Sequence, residues 1–592
     1  MTPKLLEFSA LRAAYASGTL TPEALITTLY ARINAYPDKA VFISLVPLED
    51  ALTAARALHG RESLPLYGIP FAVKDNIDVA GIPTTAGCPE FAYIPATDSI
   101  AVAKLRAAGA ILLGKTNLDQ FATGLNGTRS PYGAPRSVFN ADYISGGSSS
   151  GSAVAVAAGL AAFSLGTDTA GSGRVPAAIN NIVGLKPSIG RISASGVVPA
   201  CKSIDCVSIF ANSSADAMSV LRAAEGHDAA DPYSRLASET ILPVTPRLGV
   251  LAPQDRDFAG NLHAAALYTT ALEQSEALGW KITEINYAPF RAIAALLYGG
   301  AFIAERLAAI RGFFITHPSA MHPVVREIIA GAEKFDAAEA FADLYELQAL
   351  RKIASLELAK CDALLLPTAP TNFTVAQMLE QPITHNSTLG LYTNFVNLLD
   401  MAAIAIPAGF GADGLPFGVT FIGPAFAEAS LSAYASALHS ALGAGAGRGR
   451  HQPHAIYATP APEEFTIAVA GAHLSGMVLN HELTALNARL VFATHTSPAY
   501  KLYALATTPP KPGLARSPGF SGSGIAIEIW SLSPENLGRF IAALPEPMGI
   551  GKVTLADGST HPGFLCEAHA LNGATDITSY GGWRQYRASL TP

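Results

Sequence analysis

Three glycine-rich segments of the chain contain residues whose types and spacing could carry out chemistry. The first, residues 109–116 (Gly-Ala-Ile-Leu-Leu-Gly-Lys-Thr), matches the GxxxxGK[ST] pattern of phosphate-binding loops. Such a loop follows a strand and turns so that its backbone N–H groups face the phosphates. Here the four middle residues are typical of a buried strand, and residues 101–108 before them have a helical pattern. We therefore predict that Gly109 ends a helix and leads into a core strand, without nucleotide binding.

The second segment, residues 147–151, fits the GxSxG motif, in which a nucleophilic serine lies between a strand and a helix. Ser149 is its central residue, and an apolar helical stretch follows, as the motif requires. Residues 139–144, however, are not the apolar strand that should precede it. An acid and a histidine would also be needed, and Asp362 and His385 are residues of those types. An α/β-hydrolase esterase that uses Ser149 is therefore an alternative interpretation.

The third and largest pattern combines serines with an upstream lysine. Residues 146–151 (Gly-Gly-Ser-Ser-Ser-Gly) are followed by residues 166–174 (Gly-Thr-Asp-Thr-Ala-Gly-Ser-Gly-Arg), so that Ser148 and Ser172 lie 24 positions apart. Residues 74–78 (Lys-Asp-Asn-Ile-Asp) precede both and directly follow a strand-like run. In order and spacing, these three segments resemble the amidase signature family.

The resemblance extends over about residues 20–425 and implies a mixed sheet covered by helices. Amide hydrolysis needs a nucleophile, a base, an acid for the leaving amine and donors for the oxyanion. By resemblance, Ser172 is the nucleophile, Ser148 relays protons from a cis peptide, and Lys74 is the final base. A lysine base must be neutral, and burial can lower its pKa from ~10.4 by up to ~3–5 units. A dry pocket around Lys74 is therefore expected.

The small residues around the proposed nucleophile suit an oxyanion site. Successive backbone N–H groups in such a run can face a tetrahedral oxyanion. The expected donors are the amides of Thr169, Ala170, Gly171 and Ser172. Asp168 and Arg174 flank this run, and we predict that they pair with each other and fix it in place.

Two further segments resemble allophanate hydrolases in particular: residues 118–133 and 298–306. Allophanate is a small urea-derived amide with a carboxylate, and arginine suits the bidentate binding of a carboxylate. Tyr298 and Arg306 are eight positions apart, about 80° apart on a continuous helix, and are predicted to bind the substrate. Gly124 and Gly127 are predicted to let the backbone approach it closely.

The resemblance implies that Ser172 attacks the terminal amide carbonyl and that ammonia leaves first. The product, N-carboxycarbamate, loses CO₂, so the net products are ammonia and CO₂, the second half of ATP-dependent urea degradation. A urea carboxylase would be the functional partner. No metal and no organic cofactor is expected, because the chain has neither an HExxH motif nor paired CxxC motifs. Two further alternatives are an amidase for another small carboxylate-bearing amide and a non-catalytic amidotransferase subunit.

The elements that must position these residues are strands that alternate with helices. Apolar runs occur at five places: residues 69–73, 110–113, 209–210, 248–251 and 363–366. Alanine-rich helical stretches lie between them, a pattern that favours an α/β sheet covered by helices. With 592 residues, the chain is also long enough for more than one domain.

A change of composition divides the chain. Residues 441–450 are rich in glycine and alanine, and a proline-containing stretch follows, so residues 446–462 are predicted to be a linker. The domains are then 1–445, the amidase domain, and 463–592, which resembles the C-terminal domain of allophanate hydrolases. That domain is expected to be α+β, similar to γ-glutamyl cyclotransferases, and either to assist decarboxylation or to form an oligomer contact. Its candidate site residues are His473, His495, Glu528 and His569.

Charge and hydropathy exclude several classes of partner. The net charge is −7, which argues against nucleic acid as the main partner. The most apolar run, residues 153–165, is shorter than the ~20 residues that span a membrane, so no membrane association is expected. Five cysteines without CxxC spacing fit a reducing compartment. We predict a soluble cytoplasmic protein, present as a homo-oligomer such as a dimer.

Overall fold

The chain folds into two compact units, Met1–Thr459 and Pro460–Pro592. The computed structural model describes residues 6–453, 465–486, 488–507 and 511–590. The predicted linker, residues 446–462, lies outside the described residues from position 454 onward.

The described part of that linker is hydrogen-bonded to the first unit. The Gly447 amide donates to the Asn181 carbonyl at 2.7 Å, and the Arg448 amide donates to the Ala157 carbonyl at 2.8 Å. Up to this point, residues predicted to be a linker are part of the folded first unit.

A mixed sheet of eleven strands forms the centre of the first unit, in the order β1-β3-β2-β4-β6-β5-β10-β11-β9-β7-β8. Its strands are β1 Phe42–Leu45, β2 Pro70–Lys74, β3 Ile111–Thr116, β4 Phe163–Asp168, β5 Val183–Lys186, β6 Cys206–Ala211, β7 Arg247–Leu251, β8 Lys281–Ile285, β9 Ala363–Pro367, β10 Ala402–Phe410 and β11 Pro416–Gly423. β2 runs parallel to both β3 and β4, whereas β4 runs antiparallel to β6. The predicted mixed sheet is confirmed, and all five predicted apolar runs lie in or overlap strands.

Sixteen α-helices occur among the described residues of this unit. They are α1 Phe8–Ala16, α2 Pro22–Ala35, α3 Leu48–Arg56, α4 Ile100–Ala107, α5 Ser150–Ala157, α6 Val175–Ile179, α7 Ser214–Ala224, α8 Leu262–Ala277, α9 Ala288–Gly299, α10 Ile303–Thr316, α11 Pro323–Ala330, α12 Ala337–Leu358, α13 Val375–Glu380, α14 Thr384–Leu389, α15 Phe395–Leu398 and α16 Glu428–Leu442. Every residue of α5 is buried, so its apolar sequence belongs to the core.

Two central strands bring the predicted catalytic segments to one edge of the sheet. β2 and β4 are fully buried neighbours, and because they are parallel, their carboxyl ends meet at the same edge. Lys74 is the last residue of β2, and Asp168 is the last residue of β4, directly before the glycine-rich run.

The segment that matched a phosphate-binding loop is a core strand, as predicted. Gly109 follows α4, and residues 111–116 form β3 with every residue buried. The Lys115 ammonium, which would face a phosphate in a nucleotide site, lies 3.2 Å from the Asp75 carboxylate and donates to the Thr84 hydroxyl at 2.8 Å. Its charge is therefore neutralised by an internal ion pair.

One stretch of the described chain, residues 288–316, is long and apolar enough to be compared with a membrane span. It consists of two helices, α9 and α10, that are separated at residues 300–302. Half of its most apolar window is buried inside the folded chain. Its buried residues Phe290, Ile293 and Leu297 belong to the hydrophobic core of the first unit.

The second unit has an α+β fold with a small core of its own. Five strands form one sheet in the order β13-β16-β12-β18-β17, and three strands form another in the order β15-β14-β19. Its elements are β12 Phe465–Val469, α17 Asn480–Thr484, β13 Arg489–His495, β14 Tyr500–Leu505, β15 Lys511–Arg516, β16 Ala526–Leu532, α18 Pro534–Ala542, β17 Met548–Thr554, β18 Thr560–Cys566, β19 Thr575–Asp576 and α19 Trp583–Ser589.

Candidate active site

An unbroken chain of hydrogen bonds joins the three residues predicted to be catalytic. The Lys74 Nζ atom donates to the Ser148 Oγ atom at 2.8 Å, and the Ser148 hydroxyl donates to the Ser172 Oγ atom at 3.0 Å. All three side chains are buried, Lys74 and Ser148 completely. The arrangement can carry a proton from Ser172 through Ser148 to Lys74.

The local backbone places Ser148 between the other two residues. The Gly147–Ser148 peptide is cis, as the resemblance implied. α5 begins at Ser150, so Ser148 lies just before a helix that packs against the central strands. The Ser148 carbonyl accepts a hydrogen bond from the Asp119 amide at 3.0 Å.

Burial makes Lys74 suited to act as a base. Removal of the ammonium from water lowers the pKa of Lys74 from 10.5 to about 7, and this effect outweighs the opposing attraction of Asp119, Asp205 and Asp168. Thr167, in β4, is a further partner of Lys74, because its hydroxyl accepts a hydrogen bond from Nζ at 2.7 Å. The lowered pKa leaves a large fraction of Lys74 neutral near neutral pH.

The run after β4 presents backbone amides next to Ser172. In the described part of the chain, no protein acceptor receives a hydrogen bond from the amides of residues 170–172. Gly171 has a φ of +139°, and a Cβ atom there would collide with the Thr393 side chain, so the turn requires glycine. These three amides are available to stabilise an oxyanion, and the donor role of residues 169–172 stays a prediction.

Two buried carboxylates hold this run in place. Asp168 forms a bidentate ion pair with Arg174, with both N–O distances at 2.9 Å, as predicted. Burial alone would raise the pKa of Asp168, but Arg174 outweighs it and lowers that pKa below its usual value. Asp205 accepts a hydrogen bond from the Thr169 hydroxyl, and burial raises its pKa to about 6. Sequence reasoning did not identify Asp205.

Tyr298 and Arg306 contact each other at the same site. The Arg306 Nη2 atom donates to the Tyr298 hydroxyl at 3.1 Å, and Nη1 donates to the Thr123 hydroxyl at 3.1 Å. The assumption of one continuous helix was wrong, because Tyr298 lies in the last turn of α9 and Arg306 lies in α10. The Ala301 amide donates to Asp343 of α12, which stabilises the break between the two helices.

Gly124 and Gly127 lie in the loop that faces the serines. The Ser172 hydroxyl lies 3.4 Å from the Gly124 carbonyl oxygen. The Gly127 amide donates to the Asp119 carboxylate at 3.0 Å, and a Cβ atom on Gly127 would collide with Ser150. Asp119, which sequence reasoning did not single out, thus orders this loop as well as the peptide that carries Ser148.

Ser149, the nucleophile of the alternative interpretation, has a structural role. Its hydroxyl donates to the Thr167 carbonyl at 3.2 Å and accepts from the Thr167 amide at 3.3 Å. Asp362 pairs with Arg247, and His385 stacks on a phenylalanine ring at 4.2 Å. The three residues that an esterase would need are therefore engaged elsewhere.

Of the four candidates in the second unit, His473 lies in a cavity of about 260 Å³. Its Nε2 atom is 2.8 Å from the Glu482 carboxylate, and its ring stacks on Phe564 at 5.3 Å. Burial lowers the pKa of His473 in spite of Glu482. The Lys511 side chain also lines this cavity.

The other three candidates do not line that cavity. Glu528 is buried and accepts hydrogen bonds from the Ser475 amide, the Trp530 indole and Arg584. His495 is exposed at the end of β13, and the exposed His569 lies 3.0 Å from the Glu567 carboxylate. The hydrogen bonds of Glu528 are therefore structural, and the three candidate histidines do not lie together in one site.

Comparison with known proteins assigns both units. The family model described as "Amidase" matches residues 24–431, and the model described as "Allophanate hydrolase C-terminal domain" matches residues 465–588. Urea amidolyase of Lachancea kluyveri is 43% identical over 594 residues, which cover 96% of this chain and 32% of that protein. The chain thus spans about a third of the length of the first curated relatives that it matches.

Two further comparisons cover most of the related chains. A structure of Kluyveromyces lactis allophanate hydrolase superposes with a TM-score of 0.79 at 42% identity and 98% coverage of both chains. One component of the glutamyl-tRNA(Gln) amidotransferase of Deinococcus deserti is 34% identical over 477 residues, 73% of this chain and 95% of that component. The amidase match covers more than two thirds of the chain, in agreement with the segments that carry the buried lysine and serines. The chain belongs to the amidase family.

Proposed function

We propose that the chain is an allophanate hydrolase, an amidohydrolase that acts through an acyl-enzyme. The observation that carries this proposal is the buried chain of hydrogen bonds from Lys74 through Ser148 to Ser172, with Arg306 held nearby. The similarity to allophanate hydrolase and urea amidolyase over nearly the whole chain supports the same substrate.

The first half of the reaction forms the acyl-enzyme. Neutral Lys74 accepts the Ser148 proton as Ser148 accepts the Ser172 proton, and the Ser172 Oγ atom attacks the terminal amide carbonyl of allophanate. The amides of residues 170–172 stabilise the oxyanion, an interaction whose loss typically lowers the rate ~10²–10³-fold. The proton then returns through Ser148 to the leaving nitrogen, and ammonia departs.

The second half repeats the proton transfers with water. Water gives up a proton through the same serine and lysine and attacks the acyl carbon, and Ser172 is released with its proton restored. The product is N-carboxycarbamate, which loses CO₂ and yields ammonia and CO₂ in total. Arg306 and Tyr298 bind the substrate carboxylate, because a guanidinium and a hydroxyl suit its charge and its lone pairs.

We further propose that this activity follows a urea carboxylase in ATP-dependent urea degradation, as the urea amidolyase relatives suggest. Assistance to decarboxylation and an oligomer contact remain the two proposed roles of the second unit. The homo-oligomer, such as a dimer, and the cytoplasmic location stay predictions. Light scattering of the purified chain tests the first, and fractionation of the source cells tests the second.

Ammonia release by the purified chain from three amides tests the substrate. Allophanate and malonamate, in which CH₂ replaces the central NH, both carry the carboxylate, whereas propionamide does not. We expect strong activity on allophanate and weak activity on propionamide. Activity on propionamide without activity on allophanate would keep the hydrolytic residues but contradict the carboxylate pocket.

A further inference from the structure

A second buried guanidinium lies beside that of Arg306. Arg129 is 1% exposed, and its Nη1 atom donates to the Thr123 carbonyl at 2.9 Å. Its Nη2 atom donates to the Pro382 carbonyl at 2.6 Å, and its buried Nε atom has no hydrogen-bond partner among the described residues. Since an arginine has five N–H donors, three of those of Arg129 remain uncommitted within this part of the chain.

Arg306 and Arg129 converge on the same short segment. Arg306 donates to the Ala122 carbonyl and the Thr123 hydroxyl, while Arg129 donates to the Thr123 carbonyl. The next residue is Gly124, whose carbonyl oxygen lies 3.4 Å from the Ser172 hydroxyl. Both guanidinium groups therefore contact the segment that leads into the Gly124 carbonyl beside Ser172, and the charge of Arg306 acts on that of Arg129.

The two arginines differ from the other buried arginines of this chain. Among the described residues, four arginine side chains are at most 2% exposed. Arg174 pairs with Asp168, and Arg191 pairs with three glutamates. Among the same described residues, no carboxylate oxygen lies within 4 Å of a guanidinium nitrogen of Arg129 or Arg306, so neither arginine forms an ion pair there. A buried cation without an anionic partner is unfavourable, so an anion bound next to these two guanidinium groups would stabilise them.

Asp119 does not fill the place of that anion. It attracts Arg129 electrostatically, but its carboxylate oxygens accept hydrogen bonds from the backbone amides of Asn126, Gly127 and Arg129. Its charge is already used to order the loop. During the reaction, an anionic amide carries two negative charges, the carboxylate and the developing oxyanion. The two guanidinium groups supply two charges of the opposite sign.

We propose that Arg129 is a specificity-determining residue, which acts with Arg306 to select amides that carry a carboxylate close to the scissile carbonyl. This inference rests on the proposed hydrolytic function of Ser172. A purely structural role would need only donors for two backbone carbonyls, and it would affect neutral and anionic substrates alike.

A matched pair of substrates separates these roles. Malonamate and malonamide differ only in that an amide replaces the carboxylate. We expect Arg129→Met to lower kcat/KM for malonamate about 10- to 100-fold, the range of a lost charge-assisted hydrogen bond, and to change that for malonamide less than about 3-fold. Equal losses on both substrates, or no loss on malonamate, would overturn the proposal.

Control variants guard against loss of folding. Arg235→Met removes a partly exposed arginine that pairs with Asp400, and it should change neither substrate's kcat/KM. If Arg129→Met does not fold by circular dichroism, Arg129→Gln keeps an amide donor without the charge, and the same selective loss on malonamate is expected. A Gln variant with unchanged preference for malonamate would contradict the role of the charge.

A binding measurement keeps this inference separate from the proposed function. Ser172→Ala cannot form an acyl-enzyme, so calorimetric titration with malonamate reports binding alone. We expect the double variant Ser172→Ala/Arg129→Met to bind malonamate at least about 10-fold more weakly than Ser172→Ala. If the wild type hydrolyses no amide, the proposed function fails, while this titration still decides the role of Arg129. Equal affinities of the two variants would refute it.

Discussion

Replacement of Lys74 by methionine tests two claims: that Lys74 is the base, and that its side chain is partly neutral in the folded protein near pH 7. Methionine is close in length but cannot accept a proton, so Ser148 and Ser172 lose their base. Removal of a general base typically lowers the rate ~10²–10⁴-fold. We expect ammonia release to fall by at least that much, while the variant stays folded.

The same substitution has a stability consequence that depends on pH. Burial lowers the pKa of Lys74 from 10.5 to about 7, so between these values the unfolded chain binds a proton that the folded chain does not. Stability therefore rises with pH in this window. At about 1.4 kcal/mol per pH unit, the buried lysine costs roughly 4–5 kcal/mol at pH 7 and roughly 2 kcal/mol at pH 9.

Lys74→Met removes this pH-dependent cost and also removes two hydrogen bonds, to Ser148 and Thr167, each worth about 1 kcal/mol net. The lost hydrogen bonds contribute nearly the same free energy at every pH. The pH dependence of the difference in unfolding free energy therefore reports the charge of Lys74 alone. We expect the free energy of unfolding of Lys74→Met minus that of the wild type to decrease by roughly 2–3 kcal/mol between pH 7 and pH 9.

Urea denaturation of both proteins at several pH values measures this difference. Lys281→Met in β8 is the control, because this lysine side chain is exposed and its removal takes no buried charge out of the protein. Parallel pH profiles of Lys74→Met and the wild type would refute the reasoning, because they would mean that folding leaves the protonation of Lys74 unchanged.

Three further predictions concern the same site. The kcat/KM of the wild type should rise with pH through an apparent pKa near 7, since neutral Lys74 is the active form; a pH–rate profile that falls as pH rises through this range would contradict it. Gly171→Ala should lower kcat ~10²–10³-fold, because its Cβ collides with Thr393 and displaces the oxyanion donors; steady-state kinetics check this. Asp168→Asn should cost about 3–5 kcal/mol of stability by leaving Arg174 buried and unpaired. Adding Arg174→Met should restore part of that loss in thermal unfolding.

The lysine and two serines of the buried hydrogen-bonded chain could be predicted because the sequence motifs that carry them are short and ordered. Lys74 follows a buried strand, and Ser148 and Ser172 lie in glycine-rich turns, so each was visible from local sequence. The partners of these residues were not visible. Thr167 contacts Lys74, and Asp119 contacts the Gly127 amide, only because the strands and loops pack together in the folded chain.

The helix break between Tyr298 and Arg306 shows a second limit of the sequence reasoning. The sequence between Tyr298 and Arg306 has no proline, but it contains the pair Gly299-Gly300, whose low helix propensity is a local signal for a break. The break at Gly300 depends on Asp343, more than forty residues later, which accepts the Ala301 amide. The glycine pair and this tertiary contact act in the same direction, so Tyr298 and Arg306 meet across two helices.

Ammonia release from allophanate by two serine variants tests the central claim most directly. Ser172→Ala removes the proposed nucleophile, and Ser149→Ala removes a neighbouring buried serine that bonds to the backbone of β4. We predict that Ser172→Ala loses activity with its fold intact and that Ser149→Ala stays active. An active Ser172→Ala variant, or an inactive but folded Ser149→Ala variant, would contradict the account.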